Sequence, residues 1–328
     1  MRTEARFPAI DPSAGHYESF YLKAAPPGGG RALWIRHTIH KRPGQEPTCS
    51  IWFTLFGNGG PTATKASFPA GSLSVPDGSY VRVDGSEIGP GRATGSVATE
   101  AFEAEWDLRF EDRHDAFRHL PSERMYSAKL PRTKLLSPHP GALFSGSVTI
   151  DGERLALDAW PGMVGHNWGA EHAERWIWMH GGEFDDGAPG DFIDVAAGRI
   201  KLGPLRTPWI ANGSIVIGGE AYRLGGLGRT YGTEITESPT GCEFVIGGKR
   251  ITVRGRVEAP AERFVGWIYA DPDGGEHNTV NCSIADMELR VERPDHKHLH
   301  LRVPGGAAYE LGMRERDHGI PIQDYPDG

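Results

Sequence analysis

Short segments with the composition of β-strands recur along almost the whole chain, and turn-forming residues separate them. The segments are rich in β-branched and aromatic residues, and Gly, Pro, Asp or Asn follows them at intervals of about 8–15 residues. The 328 residues include 45 Gly and 25 Pro, and both types disfavour the interior of a helix. This pattern predicts an all-β protein of antiparallel meanders, closed into barrels or packed as sandwiches. The strand-like segments are residues 31–40, 50–57, 79–85, 102–110, 146–152, 174–181, 190–200, 213–219, 249–257, 263–270 and 276–289. Only DRHDAFRHL (112–120) has the pattern of a helical turn.

One hairpin pattern occurs twice. GSVTIDGERLAL (146–157) and GSIVIGGEAYRL (213–224) share Gly-Ser, alternating apolar residues, Ile, Gly-Glu and a final Leu. Gly152 and Gly219 supply the positive φ that a two-residue hairpin turn requires. Two interpretations are open: unrelated hairpins that share turn chemistry, or two related β-domains in tandem. The second predicts an N-terminal β-domain over residues 1–180 and a C-terminal β-domain over residues 181–328.

Charge and cysteine usage restrict the partners and the compartment. The net charge of −8 argues against nucleic acid or an anionic membrane surface as the main partner. The three cysteines are widely separated and form no CxxC pair, which argues against a disulfide framework or a cysteine-rich zinc site. The N-terminus has no apolar signal region, and the longest apolar run, near SIWFTLF (50–56), is far too short for an integral membrane segment. We therefore expect a cytoplasmic protein, and a homo-oligomer remains compatible with the sequence.

The stretch GHNWGAEHAERWIWMHG (165–181) concentrates histidine and tryptophan. Its histidines, His166, His172 and His180, lack the i, i+2 or i, i+4 spacing of zinc hydrolases, so we expect no metal site. The chain has no GxSxG elbow, no P-loop, and no GxGxxG between a strand and a helix. We therefore expect no cofactor.

Strand parity places several of these side chains on one face. Alternate residues of a strand point to the same side, so Trp176, Trp178 and His180 share a face, and Phe192 and Asp194 share a face of the next strand. Aromatic rings beside an ionisable group are typical of a barrel wall that lines a ligand cavity. The alternative is that the tryptophans are ordinary core residues and that Asp194 is a surface or ion-paired group.

The segment EHNTVNCSIADMEL (276–289) alternates in the same way. Its apolar positions are Val280, Cys282 and Ile284, and its polar positions are His277, Thr279, Asn281 and Ser283. We expect the apolar set in the core and the polar set facing either solvent or a cavity near the tryptophan-rich strand.

The segment GALFSGSVTIDGERLALDAWPGMVGHNWG (141–169) resembles the carotenoid 1,2-hydratase (hydroxyneurosporene synthase)/AttH-like family, whose distant relatives include tocopherol cyclase. The family pattern is a hairpin, an aromatic-Pro/Gly bend and a Gly-x-x-x-His-x-Trp-Gly core, matched here by Gly162, His166, Trp168 and Gly169. An aromatic-x-Asp pair further along the hydratases corresponds to Phe192 and Asp194, although the hydratases have a tyrosine where this chain has Phe192. The resemblance is clearest over residues 141–200. It implies two tandem lipocalin-like (calycin) antiparallel β-barrel domains.

The resemblance also implies an acid-catalysed reaction on a hydrophobic isoprenoid- or polyketide-like molecule. Asp194, assisted by His166, would protonate a carbon–carbon double bond, and the enzyme would be a hydratase, a cyclase or an isomerase. The substrate-binding side chains would be Trp168, Trp176, Trp178, His180 and Phe192. A carboxylic acid can donate this proton only when it is neutral, so the site would have to raise its pKa. We expect His166 within hydrogen-bond reach of Asp194, directly or through one water.

A second function fits the same residues. A lipocalin-like carrier of a hydrophobic small molecule would need the aromatic cavity but no buried acid. The burial of Asp194 distinguishes the two functions, because a carrier is compatible with an Asp194 that faces solvent.

Overall fold

The computed structural model contains two large antiparallel β-sheets that follow one another along the chain, and it describes residues 3–203, 205–294 and 296–323. The strands of the first sheet are β1 (His16–Ala24), β2 (Arg31–Lys41), β3 (Thr48–Gly57), β4 (Thr62–Pro69), β5 (Leu73–Ser74), β6 (Val81–Val83), β7 (Ser86–Gly89), β8 (Arg92–Ala98), β9 (Glu103–Asp112), β10 (Phe117–Arg118), β11 (Thr133–Ile150) and β12 (Glu153–Gly169). They pair in the order β4-β3-β2-β1-β12-β11-β9-β8-β7-β6-β5, with β10 paired to β11.

The second sheet begins at Arg175. Its strands are β13 (Arg175–Gly182), β14 (Phe192–Arg199), β17 (Ile210–Ile217), β18 (Glu220–Gly225), β19 (Glu234–Ser238), β20 (Gly241–Gly247), β21 (Thr252–Glu258), β22 (Val265–Ala270), β23 (Glu276–Glu292) and β24 (Leu299–Met313). They pair in the order β18-β17-β14-β13-β24-β23-β21-β20-β19, with β22 paired to β23. A bridge between Leu224 and Gly248 brings the two ends of this sheet together, so that it nearly closes into a barrel. Two short strands, β15 (Lys201–Leu202) and β16 (Leu205–Arg206), form a separate hairpin.

Helical structure in the described residues is short. It consists of α1 (Arg124–Ser127) and the 3-10 helices Phe7–Ala9, Ala70–Ser72, Leu227–Gly232 and Ala261–Arg263. None of these helices is long and apolar enough to cross a membrane. Residues 112–120, which carry the pattern of a helical turn, instead contain β10, whose Phe117 and Arg118 pair with β11. The prediction of an all-β fold with two antiparallel barrel-like sheets is confirmed.

The two sheets follow the same path. In the first, β1 continues outward through β2, β3 and β4, and its other edge pairs with the last strand, β12, followed by β11, β9 and β8. In the second, β13 continues through β14, β17 and β18, and its other edge pairs with the last strand, β24, followed by β23, β21 and β20. The chain is therefore a tandem repeat at the level of strand order.

The two hairpins of similar sequence are not equivalent in this repeat. The hairpin β11–β12 lies in the middle of the first sheet, whereas β17–β18 lies at the edge of the second. Both turns have positive φ at two successive residues: 47° and 83° at Asp151 and Gly152, and 59° and 81° at Gly218 and Gly219. A two-residue turn of this kind fits the twist of a hairpin, so shared turn chemistry accounts for the sequence likeness.

Burial patterns show where the sheets meet. In β9 exposed and buried residues alternate, as expected when one face packs on a core and the other faces water. In β1 all nine positions are buried. Phe20 and Leu22 of β1 belong to the core of the first sheet, while Tyr21 packs with Trp178 of the second sheet. The side chains of β1 therefore divide between a barrel core and a contact with the other sheet.

We call this contact the junction. One part is an apolar cluster of Tyr21, Met163, Trp178 and Ala308. Another part is a group of tryptophans from both sheets, in which the ring centroid of Trp267 lies 4.9 Å from that of Trp52 and 6.3 Å from that of Trp34. Aromatic rings at such distances contribute specific stacking and edge contacts beyond their apolar area.

Candidate active site at the junction

Asp194 lies at the centre of a polar group that both sheets build. It projects from β14, is 0% exposed, and faces β11 of the first sheet. The Ser137 hydroxyl donates to Asp194 Oδ2 at 2.5 Å, and the Trp178 indole N–H donates to Oδ1 at 3.1 Å. His119 Nε2 lies 3.3 Å from Oδ2. The predicted solvent-facing alternative for Asp194 is therefore wrong.

The hydrogen bonds of His119 determine where its protons lie. Nδ1 is 3.1 Å from the carbonyl oxygen of Asn212, which can only accept, so Nδ1 carries a proton. Nε2 is 3.0 Å from the Ser137 hydroxyl and faces the Asp194 carboxylate. Because Ser137 donates its own proton to Asp194, a second proton on Nε2 satisfies both oxygens. The arrangement favours a His119 imidazolium paired with an Asp194 carboxylate.

The charge state of Asp194 differs from the expectation of a neutral acid. Burial alone would raise the pKa of Asp194, but the charge and hydrogen bond of His119 and the hydrogen bond of Ser137 together hold it below its ordinary value. The expected rise in the pKa of Asp194 is therefore wrong, and the physical reason is His119, which supplies a positive charge within the buried site.

His180 lies beside the same carboxylate but, unlike His119, is neutral. It is the cross-strand neighbour of Asp194, and its Nε2 lies 3.0 Å from the carbonyl oxygen of Pro140, so Nε2 carries the proton. Burial, and then the charge of Lys23, lower the pKa of His180 to about 4. Its Nδ1 is buried and makes no hydrogen bond within the described residues. The ring is a neutral imidazole with a free lone pair.

His166 belongs to a different environment. It is 0% exposed and stacks between Phe20, at a centroid distance of 3.9 Å, and Trp168, at 4.4 Å. Its Nε2 lies 2.7 Å from Glu18 Oε1, and its Nδ1 makes no hydrogen bond within the described residues. The expected direct hydrogen bond between His166 and Asp194 is therefore not formed, because the His166 ring is hydrogen-bonded to the buried carboxylate of Glu18 instead.

Glu18 is the carboxylate that His166 contacts, and it has further hydrogen-bond partners. Its carboxylate accepts the backbone N–H groups of Arg6 and Phe7, and His16 lies 3.3 Å from its second oxygen. Burial would raise the pKa of Glu18, but the hydrogen bonds and charges of His16 and His166 lower it to about 2. The group binds the N-terminal segment to β1 and β12.

The predicted aromatic residues separate into three places. Trp178 and Phe192 lie with Asp194 and His180, and the rings of Phe192 and His180 are stacked at 6.3 Å. Trp168 lies with His166. Trp176 lies near the start of β13, where its indole N–H donates to Glu310 Oε1 at 2.9 Å. The structure thus brings together Trp178, His180, Phe192 and Asp194 from the predicted set, but not Trp168, Trp176 or His166.

Lys23 is a further residue of the junction. It is 2% exposed, its Nζ donates to the carbonyl oxygen of Gly306 in the second sheet, and burial lowers its pKa to about 7. Lys23 and His180 both line a cavity of about 30 Å³, which is large enough to hold water. The loop residues 26–29 that follow β1 and Val303, Pro304 and Gly306 of β24 form part of its wall.

The glycine-rich loop 26–30 and a bulge of β24 at residues 304–306 cover this cavity. The backbone N–H of Gly30 donates to the carbonyl oxygen of Gly305 at 2.7 Å. A Cβ placed on Gly29, whose φ is +69°, would come within 2.1 Å of the Pro304 carbonyl oxygen. Only a residue without a side chain permits the loop and the bulge to approach this closely.

The segment 276–289 behaves as its alternation indicates. Val280, Cys282 and Ile284 lie in the core of the second sheet. The four polar residues are all buried, so they do not face solvent. Asn281 donates to Glu310 Oε2 at 3.1 Å, and His277 contacts the Trp176 ring at a centroid distance of 4.9 Å. The expectation of a solvent-facing polar set is therefore wrong, and Asn281 and His277 lie near the tryptophan-rich strand.

Three residues of the site were missed by the sequence-based prediction. His119 lies within the segment 112–120 that has a helical pattern, and Ser137 and Lys23 lie in strands whose sequences carry no catalytic motif. The available signals were weak: a polar residue at an otherwise apolar strand position, as at Lys23 between Leu22 and Ala24.

Comparison with known proteins supports the fold. No family model matches the chain. Two uncharacterized proteins of Mycobacterium tuberculosis, MT0513 from strain CDC 1551 / Oshkosh and Rv0493c from strain ATCC 25618 / H37Rv, are each 26% identical over 313 residues, which is 94% of this chain and 90% of the relative.

Solved structures add two neighbours. A putative AttH from Nitrosomonas europaea matches with a TM-score of 0.55 at 12% identity, over 95% of this chain and 97% of that chain. Kievitone hydratase from Nectria haematococca matches with a TM-score of 0.47 at 10% identity, over 92% of this chain and 89% of that chain, which is too loose to support an inference. The AttH match confirms the fold, so the resemblance to AttH-like proteins holds at the level of architecture.

Proposed function

We propose that the protein is an enzyme that transfers protons to and from a carbon–carbon double bond of a hydrophobic, isoprenoid- or polyketide-like small molecule, as a hydratase, cyclase or isomerase. The observation that carries this proposal is the fully buried Asp194 carboxylate at the junction, bonded by Ser137 and Trp178 and paired with His119. Burying a charge is costly unless it is paired. A carrier of apolar molecules has no need of such a group.

The roles follow from the protonation states. His119 is the acid: its Nε2 proton faces the Ser137 hydroxyl, which can relay a proton to a substrate carbon as it accepts the one from His119. Asp194 stabilises that imidazolium and fixes its orientation through Oδ2. His180 is the base, because its neutral Nδ1 can accept a proton from water or from the neighbouring carbon. A protonated acid beside a neutral base in one site is a common basis of acid–base catalysis at neutral pH.

Trp178 would stabilise the intermediate. Protonation of an alkene leaves a carbocation, and a cation over a desolvated indole face gains about 2 kcal/mol. Capture of the cation by water gives hydration, capture by a second double bond gives a ring, and loss of a neighbouring proton gives an isomer. The substrate would enter at the cavity beside Lys23 and His180. This cavity holds only about 30 Å³, so the loop 26–29 and the segment 303–306 of β24 would have to move apart to admit it.

A panel of apolar alkenes tests this proposal in D2O. The purified protein is incubated with linear and cyclic isoprenoids and polyenes, and mass spectrometry records deuterium incorporation, gain of one water, or a shifted retention time without a mass change. Asp194→Asn and His119→Gln should reduce turnover by about 10²–10⁴-fold, the usual contribution of a positioned acid–base group. Asp158→Asn, the same chemical change at an exposed position of β12, should leave turnover unchanged.

The same experiment separates an enzyme from a carrier. Ligand binding, followed by quenching of tryptophan fluorescence, should persist in Asp194→Asn while deuterium incorporation is lost. If compounds bind to the wild type and leave unchanged and unlabelled, the protein is a carrier. Full turnover by a folded Asp194→Asn variant would contradict the assigned site.

A further inference from the structure

A second buried polar cluster lies apart from Asp194, where the chain passes from the first sheet to the second. His172 belongs to the segment between β12 and β13, Asp271 follows β22, and His277 is the second residue of β23. Their exposures are 9%, 1% and 0%. The turn that begins at Asp271 is closed by a bond from its N–H to the Gly275 carbonyl oxygen, which keeps Asp271 beside the start of β23.

The three side chains converge. Asp271 Oδ1 accepts the backbone N–H of His172 at 2.7 Å and lies 2.7 Å from His172 Nδ1. Asp271 Oδ2 lies 3.5 Å from His277 Nδ1. One nitrogen or oxygen of each residue can be chosen so that all three atoms lie within 4.8 Å of one another.

Most of the remaining polar atoms of this cluster are unsatisfied. Within the described residues, His172 Nε2, Asp271 Oδ2 and both ring nitrogens of His277 are buried and make no hydrogen bond of normal geometry. Buried polar groups without hydrogen-bond partners are uncommon, and several that face one another require an explanation.

Aromatic packing fixes one of the rings. The His172 ring stacks on Tyr17 at a centroid distance of 3.9 Å and on Trp176 at 5.2 Å, with interplanar angles of 17° and 21°. A histidine whose plane is set by its neighbours can present a nitrogen in one direction without further loss of side-chain freedom.

We infer that His172, Asp271 and His277 bind a divalent transition-metal ion. Two imidazoles and one carboxylate form a ligand set that suits zinc and other ions of the late first row, and three protein ligands leave further positions for water. Metal–ligand bonds of about 2.0–2.2 Å hold neighbouring ligand atoms roughly 3–3.5 Å apart. The Asp271–His277 pair already has this spacing, at 3.5 Å. All three ligand atoms lie within 4.8 Å of one another, so binding an ion requires only a small contraction of the set.

The cationic side chain of Arg314 faces the cluster. Its Nη2 lies 3.5 Å from Asp271 Oδ2, its side chain is 38% exposed, and its Nη1 donates to the Glu276 carbonyl oxygen. The guanidinium would compete with a metal ion for the same carboxylate oxygen. A part-exposed arginine can swing into water when the ion binds. Metal affinity should therefore increase when Arg314 is removed, whereas a purely structural ion pair would only be weakened.

Cobalt is the probe that tests the site. Chelator-treated protein is titrated with Co²⁺, and visible absorption reports the bound ion through its ligand-field bands, with Zn²⁺ as competitor. We expect one Co²⁺ per chain, at least 100-fold weaker binding by Asp271→Asn and His277→Ala, and tighter binding by Arg314→Met. His139→Ala is the matched control, because His139 also pairs with a carboxylate, Asp112, but lies outside the cluster; its Co²⁺ affinity should equal that of the wild type.

Three results would overturn the inference: a wild type that binds no Co²⁺ at millimolar concentration, a folded Asp271→Asn or His277→Ala variant that binds like the wild type, or an Arg314→Met variant with unchanged affinity. Circular dichroism establishes whether each variant is folded. If a variant does not fold, anomalous scattering from a cobalt-soaked wild-type crystal decides: a peak between the three side chains supports the site, and a peak elsewhere contradicts it.

Discussion

Replacing Lys23 with Met provides a quantitative test of the electrostatics of the junction. Lys23 is almost completely buried, and its Nζ donates to the Gly306 carbonyl oxygen. Methionine has a similar length and an apolar, adaptable end, so the substitution mainly removes the amine.

The pKa of Lys23 determines the size of the effect. Burial lowers it from 10.5 to about 7 in the folded chain. Between these pH values the unfolded chain binds a proton that the folded chain does not, so the free energy of unfolding rises with pH across this window. One pKa unit corresponds to about 1.4 kcal/mol, so Lys23 should add about 5 kcal/mol between pH 7 and pH 10.5. Lys23→Met lacks this gain, and its lost hydrogen bond costs about 1 kcal/mol at every pH.

The variant should therefore be more stable than the wild type at pH 7, and the difference should shrink steadily as the pH rises. Urea unfolding followed by tryptophan fluorescence at a series of pH values measures the difference. Lys129→Met, at an exposed position, should give a pH profile parallel to that of the wild type. Parallel profiles for Lys23→Met and the wild type would refute the reasoning, as would an NMR titration that places the Lys23 amine near its ordinary pKa.

Two further predictions concern the loops and the N-terminal segment. Gly29→Ala should lower the melting temperature more than Gly28→Ala. Both residues have positive φ, which costs alanine about 1–2 kcal/mol, but only at Gly29 does the new Cβ meet the Pro304 carbonyl oxygen. Equal losses of melting temperature would show that the loop 26–30 does not pack against Pro304. Glu18→Gln should weaken the dependence of the free energy of unfolding on pH in acid, followed by circular dichroism. The pKa of Glu18 is about 2 in place of 4.5, so the stability it adds is present above pH 4.5 and is lost as the pH falls toward 2. An unchanged acid transition would contradict this role.

Local periodicity predicted the part of the site that a single sheet builds. Trp178, His180 and Asp194 lie on one face because alternate residues of paired strands share a side, and that rule needs no knowledge of the rest of the chain. The same rule placed Val280 and its apolar neighbours in the core. It could not show what stands opposite each face.

The partners across the junction were beyond such reasoning. Ser137 and His119 reach Asp194 from segments 57 and 75 residues earlier in the chain, which no pattern of neighbouring residues connects. The hydrogen bond between His166 and Glu18 likewise joins residues 148 positions apart. The assignment of His166 to Asp194 failed because several carboxylates are buried, and only the fold determines which one each histidine meets.

The junction also constrains how this protein can change over generations. Asp194, Trp178 and His180 come from one half of the gene, and Ser137 and His119 from the other, so a recombinant that exchanges one half would carry an incomplete or mismatched set. A substitution at Ser137 alters the surroundings of Asp194, and it would be retained only with a compensating change across the boundary. We therefore expect relatives of this chain to vary in matched pairs at these positions, and the two repeats to be inherited together as one unit of selection.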